Sequence, residues 1–126
     1  IYSTYIYIHR LVKARGYDAK IINGIPSFCA VSAKLEDSLA DRSEQIHIIP
    51  STYGVEDALN LSGTKVLMKA ASKMPLVKEA LKRSNTTCSM IENCGMPDEH
   101  IYHCIDEIPD QASYYSIIVV KEEPHD

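Results

Sequence analysis

Residues 65–91, KVLMKAASKMPLVKEALKRSNTTCSMI, contain the changes of hydrophobic periodicity that decide the fold class. Lys65–Met68 is a short apolar run of strand length, and Thr87–Ile91 is a second one. Between them, Pro75–Arg83 carries its apolar residues at helical spacing and has its proline in the first turn. A strand, a helix and another strand in this order are typical of an α/β fold.

Strand-like runs continue on both sides of this stretch. Downstream, two runs follow without an intervening helix, so some of the last three strands must pair antiparallel. Upstream, one more strand precedes a short helix at Val55–Leu61. We therefore predict a five-stranded mixed sheet flanked by helices, in the α/β class. The predicted strands are Gln45–Ile49, Lys65–Met68, Thr87–Ile91, His100–Ile105 and Tyr115–Lys121.

The N-terminal part of the chain is predicted to contain two helices and a short strand. Tyr2–Arg15 has an apolar face and ends at Gly16, a common helix stop. Pro26–Leu35 is predicted to be the second helix. Between the helices, Ala19–Ile22 is predicted to be a strand that ends in the turn formed by Asn23 and Gly24.

The composition is that of an ordinary globular domain, because 45% of the 126 residues are hydrophobic and 24% are charged. The formal net charge of -4 gives no reason to expect binding to nucleic acid or to an acidic membrane surface. No apolar run approaches the roughly 20 residues that a membrane-spanning helix needs. We therefore expect a cytoplasmic protein without nucleic-acid or membrane partners.

The cysteines do not indicate a metal centre. Four cysteines could form two disulfides in an oxidising compartment, but their positions in helix, strand and turn patterns favour reduced thiols. The densest group of potential metal ligands is Cys94, His100, His103 and Cys104. Because His103 and Cys104 are adjacent, a strand would point them to opposite faces. No metal site is predicted.

No catalytic motif is recognisable from the residues alone. The serines do not lie in a G-x-S-x-G sequence, and the chain contains neither a P-loop nor a dinucleotide-binding fingerprint. Adjacent acidic pairs such as Glu36 and Asp37 are expected to be solvated. We therefore predict no catalytic residue.

Five short motifs follow one another in a fixed order and lie at the starts of helices and the ends of strands. They are IYSTY at residues 1–5, NGIPSFCA at 23–30, VLMK at 66–69, ENCGM at 92–96, and Ile108-Pro109 ahead of YYSIIVV at 114–120. Together they resemble the C-terminal half of the tetrapyrrole methylases, which are S-adenosylmethionine-dependent enzymes of corrin and sirohaem synthesis. The IYSTY opening, the SFCA helix start and the CGM turn resemble the subgroup that methylates C20 of precorrin-2 or cobalt-precorrin-2.

The resemblance covers nearly the whole chain and implies a two-domain enzyme that holds its cofactor between the domains. Residues 1–24 would then be the last helix and strand of a truncated N-terminal domain. Residues 25–126 would be the C-terminal domain, with its five-stranded mixed sheet. The chain opens without Met and in the middle of a pattern, so we expect it to be a piece of a longer protein.

The same resemblance implies a set of cofactor-binding residues. Ile1 falls where the family places backbone beside the methionine part of S-adenosylmethionine. Pro26 and Ser27 match a pair in which Thr or Ser is common at the first position, so only Ser27 can supply a hydroxyl here. Met68 matches a methionine that packs near the adenosine. Cys94 and Gly95 match the turn whose backbone approaches the adenine.

These positions suit the chemistry of adenosine. A flat, neutral adenine needs an apolar wall and a few polar groups at its edge. The adaptable thioether of Met68 can form such a wall, and Gly95 allows close approach of the backbone. Each residue also has an ordinary structural interpretation, as a core methionine and as a turn glycine.

The resemblance also implies the reaction and the partners. The expected activity is transfer of a methyl group to a tetrapyrrole, by a protein that is a homodimer in analogy with the family. A substrate with many carboxylates needs cationic side chains, for which Arg10, Lys13 and Arg15 are candidates by charge alone. The alternatives are a relative that acts at another ring position or on another substrate, and a non-catalytic α/β binding module.

Overall fold

The computed structural model describes residues 1–50 and 54–122, and the parts of the predicted second domain at 51–53 and 123–126 lie outside the described residues. It confirms the α/β class and the five-stranded mixed sheet. The strands are β1 (Ile46–Pro50), β2 (Thr64–Met68), β3 (Thr86–Glu92), β4 (His100–Tyr102) and β5 (Ser116–Glu122). The helices are α1 (Ser3–Ala14), α2 (Ser27–Leu35), α3 (Val55–Leu59) and α4 (Met74–Arg83), with 3-10 turns at Ala71–Lys73 and Ile105–Glu107.

The strands lie in the order β1-β2-β5-β3-β4 across the sheet. The strands β1 and β2 are parallel and are joined through α3. The last strand, β5, is inserted between β2 and β3 and is antiparallel to both, while β4 is antiparallel to β3. The antiparallel pairing expected among the last three strands is confirmed. As a consequence, β1, β2 and β3 all run in the same direction and end at the same edge of the sheet.

Both faces of the central strands β2 and β5 are covered, which explains the continuous apolar run of β5. On one face, Leu67 and Ile118 pack with Met74 and Val77 of the α4 region. On the other face, the sheet contacts Phe28 and Val31 of α2. Adjacent strand residues point to opposite faces, so neighbouring apolar residues of β2 and β5 enter different clusters. A strand covered on both faces favours apolar residues at every position.

The N-terminal segment packs differently from the rest of the chain. The predicted first helix is confirmed as α1, but none of its residues is buried, and Leu11 is 60% exposed. The predicted strand at Ala19–Ile22 is wrong, because within the described residues no strand pairs with it. Side-chain hydroxyls connect this segment to α1 instead: Tyr2 accepts from the Gly24 N–H at 3.2 Å, and Tyr5 donates to the Lys20 carbonyl at 3.4 Å.

The predicted strand at His100–Ile105 is shorter than expected. It ends at Tyr102, and the chain then forms a 3-10 turn at Ile105–Glu107. The carboxylate of Glu107 accepts the backbone N–H of His103 at 2.8 Å, so this group is not available to a strand ladder. Cys104 therefore lies outside the strand and is exposed.

Candidate functional site

Two cavities open side by side where β2 ends. The first has a volume of about 430 Å³ and lies between the N-terminal residues, the start of α2 and β1. The second has a volume of about 260 Å³ and lies between α2, the end of β3 and the start of β5. Ser27 and Met68 line both cavities, so they form the wall that the two share.

The fold fixes Ser27 and Met68 through the packing of α2 on the sheet. Val66 of β2 packs with Phe28 and Val31 of α2, which places the first turn of this helix over the end of the strand. Pro26 precedes the helix in an extended conformation and introduces Ser27 as its first residue. Met68 is half-buried at the last position of β2. Two short elements therefore deliver a hydroxyl and a thioether to the same place.

Hydrogen bonds hold the turn after β3 in a defined position. Asn93 is buried in a left-handed conformation, with φ of 54°. Its backbone N–H donates to the Tyr115 carbonyl at 2.7 Å, and its side-chain amide donates to Asp98 at 3.0 Å. The first bond fixes the turn against the start of β5, so Cys94 faces the second cavity.

Glu99 connects the same turn to α2. One carboxylate oxygen accepts the Gly95 N–H at 2.7 Å, and the other lies 3.4 Å from the Lys34 ammonium. The Gly95 N–H, helped by Lys34, lowers the pKa of the Glu99 carboxyl, so this group is ionised at neutral pH. Burial raises the pKa of the Cys94 thiol, and the negative charge of Glu99 raises this pKa further. The thiol is therefore protonated at neutral pH.

The predicted site residues fall around these cavities as follows. Ile1 and Pro26 line the first cavity, Ser27 and Met68 line both, and Cys94 lines the second. Gly95 belongs to the lining of neither, but its neighbours Cys94 and Met96 line the second cavity. The sequence motifs thus converge on one edge of the sheet, with Gly95 at its margin.

Lys69, Tyr114 and Tyr115 belong to the VLMK and YYSIIVV motifs but were not among the predicted site residues. Lys69 follows Met68 with a φ of 60°, and Tyr114 and Tyr115 precede β5 as an edge-to-face pair with ring centroids 5.5 Å apart. All three line the second cavity. The position of the two tyrosines follows from the antiparallel pairing of the last strand, because this pairing brings the start of β5 beside the end of β2.

A larger cleft of about 610 Å³ lies at the opposite end of the strands. Its lining is polar and includes Lys65, Arg83 and Glu122. The ammonium of Lys65 is 3.8 Å from Glu122, and Arg83 pairs with Glu56 at 3.2 Å. Each of these two cationic side chains therefore has an acidic partner in the lining of the cleft. None of the sequence motifs reaches this cleft.

The two adjoining cavities fit an adenosine-containing cofactor. The second cavity is walled by Val31, Met68, Ile91 and Ile117, which supply the apolar surface that an adenine ring needs. The Ser27 hydroxyl stands at the junction. Of the first four N–H groups of α2, those of Cys29 and Ala30 donate to the Pro26 carbonyl at 3.0 and 3.2 Å, which leaves the N–H groups of Ser27 and Phe28 as donors at the start of the helix. Within residues 1–50 and 54–122, no group of three or more His, Cys, Asp or Glu could hold a metal ion.

Comparisons with known proteins agree with the motifs. Residues 1–107 match the family model of the Tetrapyrrole (Corrin/Porphyrin) Methylases. The chain is 27% identical over 124 residues to a probable cobalt-precorrin-2 C(20)-methyltransferase of Methanocaldococcus jannaschii, covering 96% of this chain and 54% of that protein. The chain therefore spans about half the length of this curated relative.

Solved structures show the same fold. A cobalt precorrin-4 methyltransferase superposes with a TM-score of 0.77 at 17% identity, covering 96% of this chain and 59% of the other. The uroporphyrin-III C-methyltransferase of Thermus thermophilus, in complex with S-adenosylhomocysteine, gives a TM-score of 0.70 at 12% identity, covering 97% and 61%. None of the helices in the described part of this chain is long and apolar enough to span a membrane. The family match extends over most of the sequence, and the chain belongs to the tetrapyrrole methylases, whose methyl donor is S-adenosylmethionine.

Proposed function

We propose that this chain supplies the cofactor-binding wall of a C-methyltransferase of cobalamin biosynthesis that methylates C20 of precorrin-2 or cobalt-precorrin-2. The cofactor-binding residues are Ile1, Pro26, Ser27, Met68, Cys94 and Gly95. The observation that carries the proposal is the position of Ser27 and Met68 in the wall shared by two adjoining cavities. Residues from separate motifs meet there, at a place suited to a nucleoside.

The choice of substrate rests on the relative from Methanocaldococcus jannaschii. This relative is named a probable cobalt-precorrin-2 C(20)-methyltransferase, and its 27% identity to this chain extends over nearly the whole of the chain. The solved relatives act on other tetrapyrroles and share at most 17% identity among those compared above, so they support the fold alone. Methylation at a different ring position is the second candidate, because the cobalt precorrin-4 enzyme has the same architecture.

The chain's own residues bind and orient the reactants. When bound, S-adenosylmethionine supplies a methyl group already activated by its sulfonium. Met68 contacts the adenosine through its polarisable thioether, and the Ser27 hydroxyl forms a hydrogen bond at the junction of the cavities. The apolar lining of the second cavity excludes water from this wall. Alignment of donor and acceptor is the main contribution that such a transfer requires of the protein.

We further propose the domain organisation that the motifs imply. Residues 1–24 belong to a preceding domain and residues 25–126 form the C-terminal domain. The support is the exposure of the apolar residues of the first segment, including Ile8, Leu11 and Ile22, together with the greater length of the relatives. Burial against a further domain or against a second copy in a homodimer would cover this surface.

The proposal is tested in two steps on the full-length protein. Calorimetric titration with S-adenosylhomocysteine is expected to show one site per chain, and its absence would support a non-catalytic binding module. Methyl transfer is then compared among precorrin-2, cobalt-precorrin-2 and cobalt-precorrin-4. Turnover of either precorrin-2 form is expected, with the new methyl group at C20. Preference for cobalt-precorrin-4, or methylation elsewhere on the ring, would contradict the substrate assignment.

A further inference from the structure

Lys69 occupies an unusual backbone position at the mouth of the second cavity. Its φ of 60° lies in the left-handed region, which costs a residue with a side chain about 1–2 kcal/mol. Half-buried Met68 and fully buried Ala70 flank it and hold the backbone in this conformation. This backbone conformation determines the direction in which Lys69 leaves the end of β2. Strained residues of this kind concentrate at functional sites.

The charge of Lys69 is unmatched at this position. Among the described residues that line the two cavities, Lys69 is the only one whose side chain is charged at neutral pH. Within residues 1–50 and 54–122 it forms none of the ion pairs found. An exposed ammonium beside an apolar cavity is therefore available to an anion.

Two aromatic rings stand on the same rim. Tyr114 and Tyr115 line the cavity with Lys69 and are 64% and 61% exposed. Their edge-to-face arrangement leaves large amphipathic surfaces in solvent beside the ammonium. An unmatched cation next to exposed aromatic surface is complementary to a flat, apolar ring with carboxylates at its edge.

We propose that Lys69, together with Tyr114 and Tyr115, forms the contact for one carboxylate-bearing edge of the tetrapyrrole substrate. This inference rests on the proposed function and adds a residue that determines substrate affinity. The lysine ammonium pairs with one peripheral carboxylate, and the two tyrosines pack against the adjacent ring surface. A tetrapyrrole is too large for a cavity of about 260 Å³, so it must lie outside it, at the rim where these three side chains are exposed.

The cofactor also carries a carboxylate, at its methionine end. In the proposed orientation that end lies beside Ile1, in the first cavity, whereas Lys69 lines only the second. The substrate is therefore the source of the carboxylate that Lys69 binds. The positions of the two cavities make this assignment testable, because the two sources give different binding results.

The experiment compares Lys69→Gln with the full-length wild-type protein. The KM for precorrin-2 or cobalt-precorrin-2 is expected to rise about tenfold, the size of a lost charge-assisted hydrogen bond. The kcat and the Kd for S-adenosylhomocysteine are expected to stay within about twofold of wild type. Lys69→Arg is expected to recover most of the affinity. The matched control is Lys82→Gln, which removes the same charge from the exposed last turn of α4.

A salt titration adds a readout that a structural role would not change. Raising sodium chloride from about 0.05 to about 0.5 M should increase the wild-type KM for the tetrapyrrole more than that of Lys69→Gln. A variant KM equal to wild type, in a protein that is active, would overturn this inference and leave the proposed function standing. A weaker Kd for S-adenosylhomocysteine with an unchanged tetrapyrrole KM would assign Lys69 to the cofactor and also overturn it. Failure of the wild-type protein to bind S-adenosylhomocysteine would instead contradict the proposed function.

Discussion

Replacement of Gly95 by alanine separates two effects: a loss of stability caused by the backbone conformation, and a loss of affinity caused by exclusion of a ligand. The φ of Gly95 is 81°, a conformation that disfavours any side chain. A Cβ added there would meet no heavy atom within 4 Å, so steric clash contributes nothing. The expected loss is therefore the conformational term alone, about 1–2 kcal/mol in the free energy of unfolding. Urea denaturation measures this loss directly.

Cofactor binding should respond more strongly than stability. If the backbone of Gly95 approaches the adenine as proposed, the new methyl group occupies the space that the adenine edge needs. We expect the Kd for S-adenosylhomocysteine to rise at least tenfold in calorimetric titration, which corresponds to about 1.4 kcal/mol. Gly16→Ala is the matched control, since Gly16 has a φ of 87° and open space around its Cβ, and it follows α1, outside the proposed cofactor-binding residues.

A third variant distinguishes steric exclusion from a distorted turn. Asparagine tolerates the left-handed conformation better than alanine, so Gly95→Asn should recover part of the lost stability. It still adds a side chain, so its affinity for S-adenosylhomocysteine should remain low. Unchanged affinity in Gly95→Ala, measured alongside the expected loss of stability, would refute the approach of this backbone to the cofactor.

Three further predictions concern the fold around the site. Because the pKa of Glu99 is lowered in the folded state, its contribution to stability is present above the ordinary pKa of 4.5 and is lost as pH falls below it. Glu99→Gln should flatten that part of the pH profile of urea unfolding, and an unchanged profile would contradict the role of the Gly95–Glu99 bond. Burial raises the pKa of the Cys88 thiol to about 11, so at pH 8 a thiol reagent should modify exposed Cys29 and Cys104 quickly and Cys88 only after unfolding. Leu67→Ala should lose about 2–5 kcal/mol of unfolding free energy from the core, whereas Leu76→Ala, at 65% exposure, should lose less than about 0.5 kcal/mol. Similar losses in the two leucine variants would mean that α4 does not pack as described.

Local sequence pattern predicted the elements that carry their own hydrophobic signal. The strands around Val66 and Ile118 are apolar throughout because both faces are covered, and both strands were found from that pattern. The segment Ala19–Ile22 has a similar apolar composition but no strand beside it within the described residues. A strand is defined by its partner, which a single segment of sequence does not contain. The strand prediction for Ala19–Ile22 was therefore wrong because the segment has no tertiary partner among the described residues, and not because its local preference was misjudged.

The site was predictable where a motif residue begins or ends a helix or strand. Ser27 begins α2 and Met68 ends β2, and both line the shared wall. Lys69 directly follows Met68 in the VLMK motif, whereas Tyr114 and Tyr115 reach the same rim only through the strand order. That order places β5 between β2 and β3, although β5 comes last in the chain. Sequence proximity gives no indication of this insertion.

The direction of the strands accounts for the location of the site. The strands β1, β2 and β3 run in the same direction and end at one edge of the sheet. In open α/β sheets, ligands bind outside the carboxyl ends of such strands. The pairing of Met68 with Ile117, and of Glu92 with Ser116, places the start of β5 between the end of β2, which carries Met68, and the loop after β3, which carries Cys94. The end of β2 and the loop after β3 are thereby held one strand apart, and the second cavity lies between them.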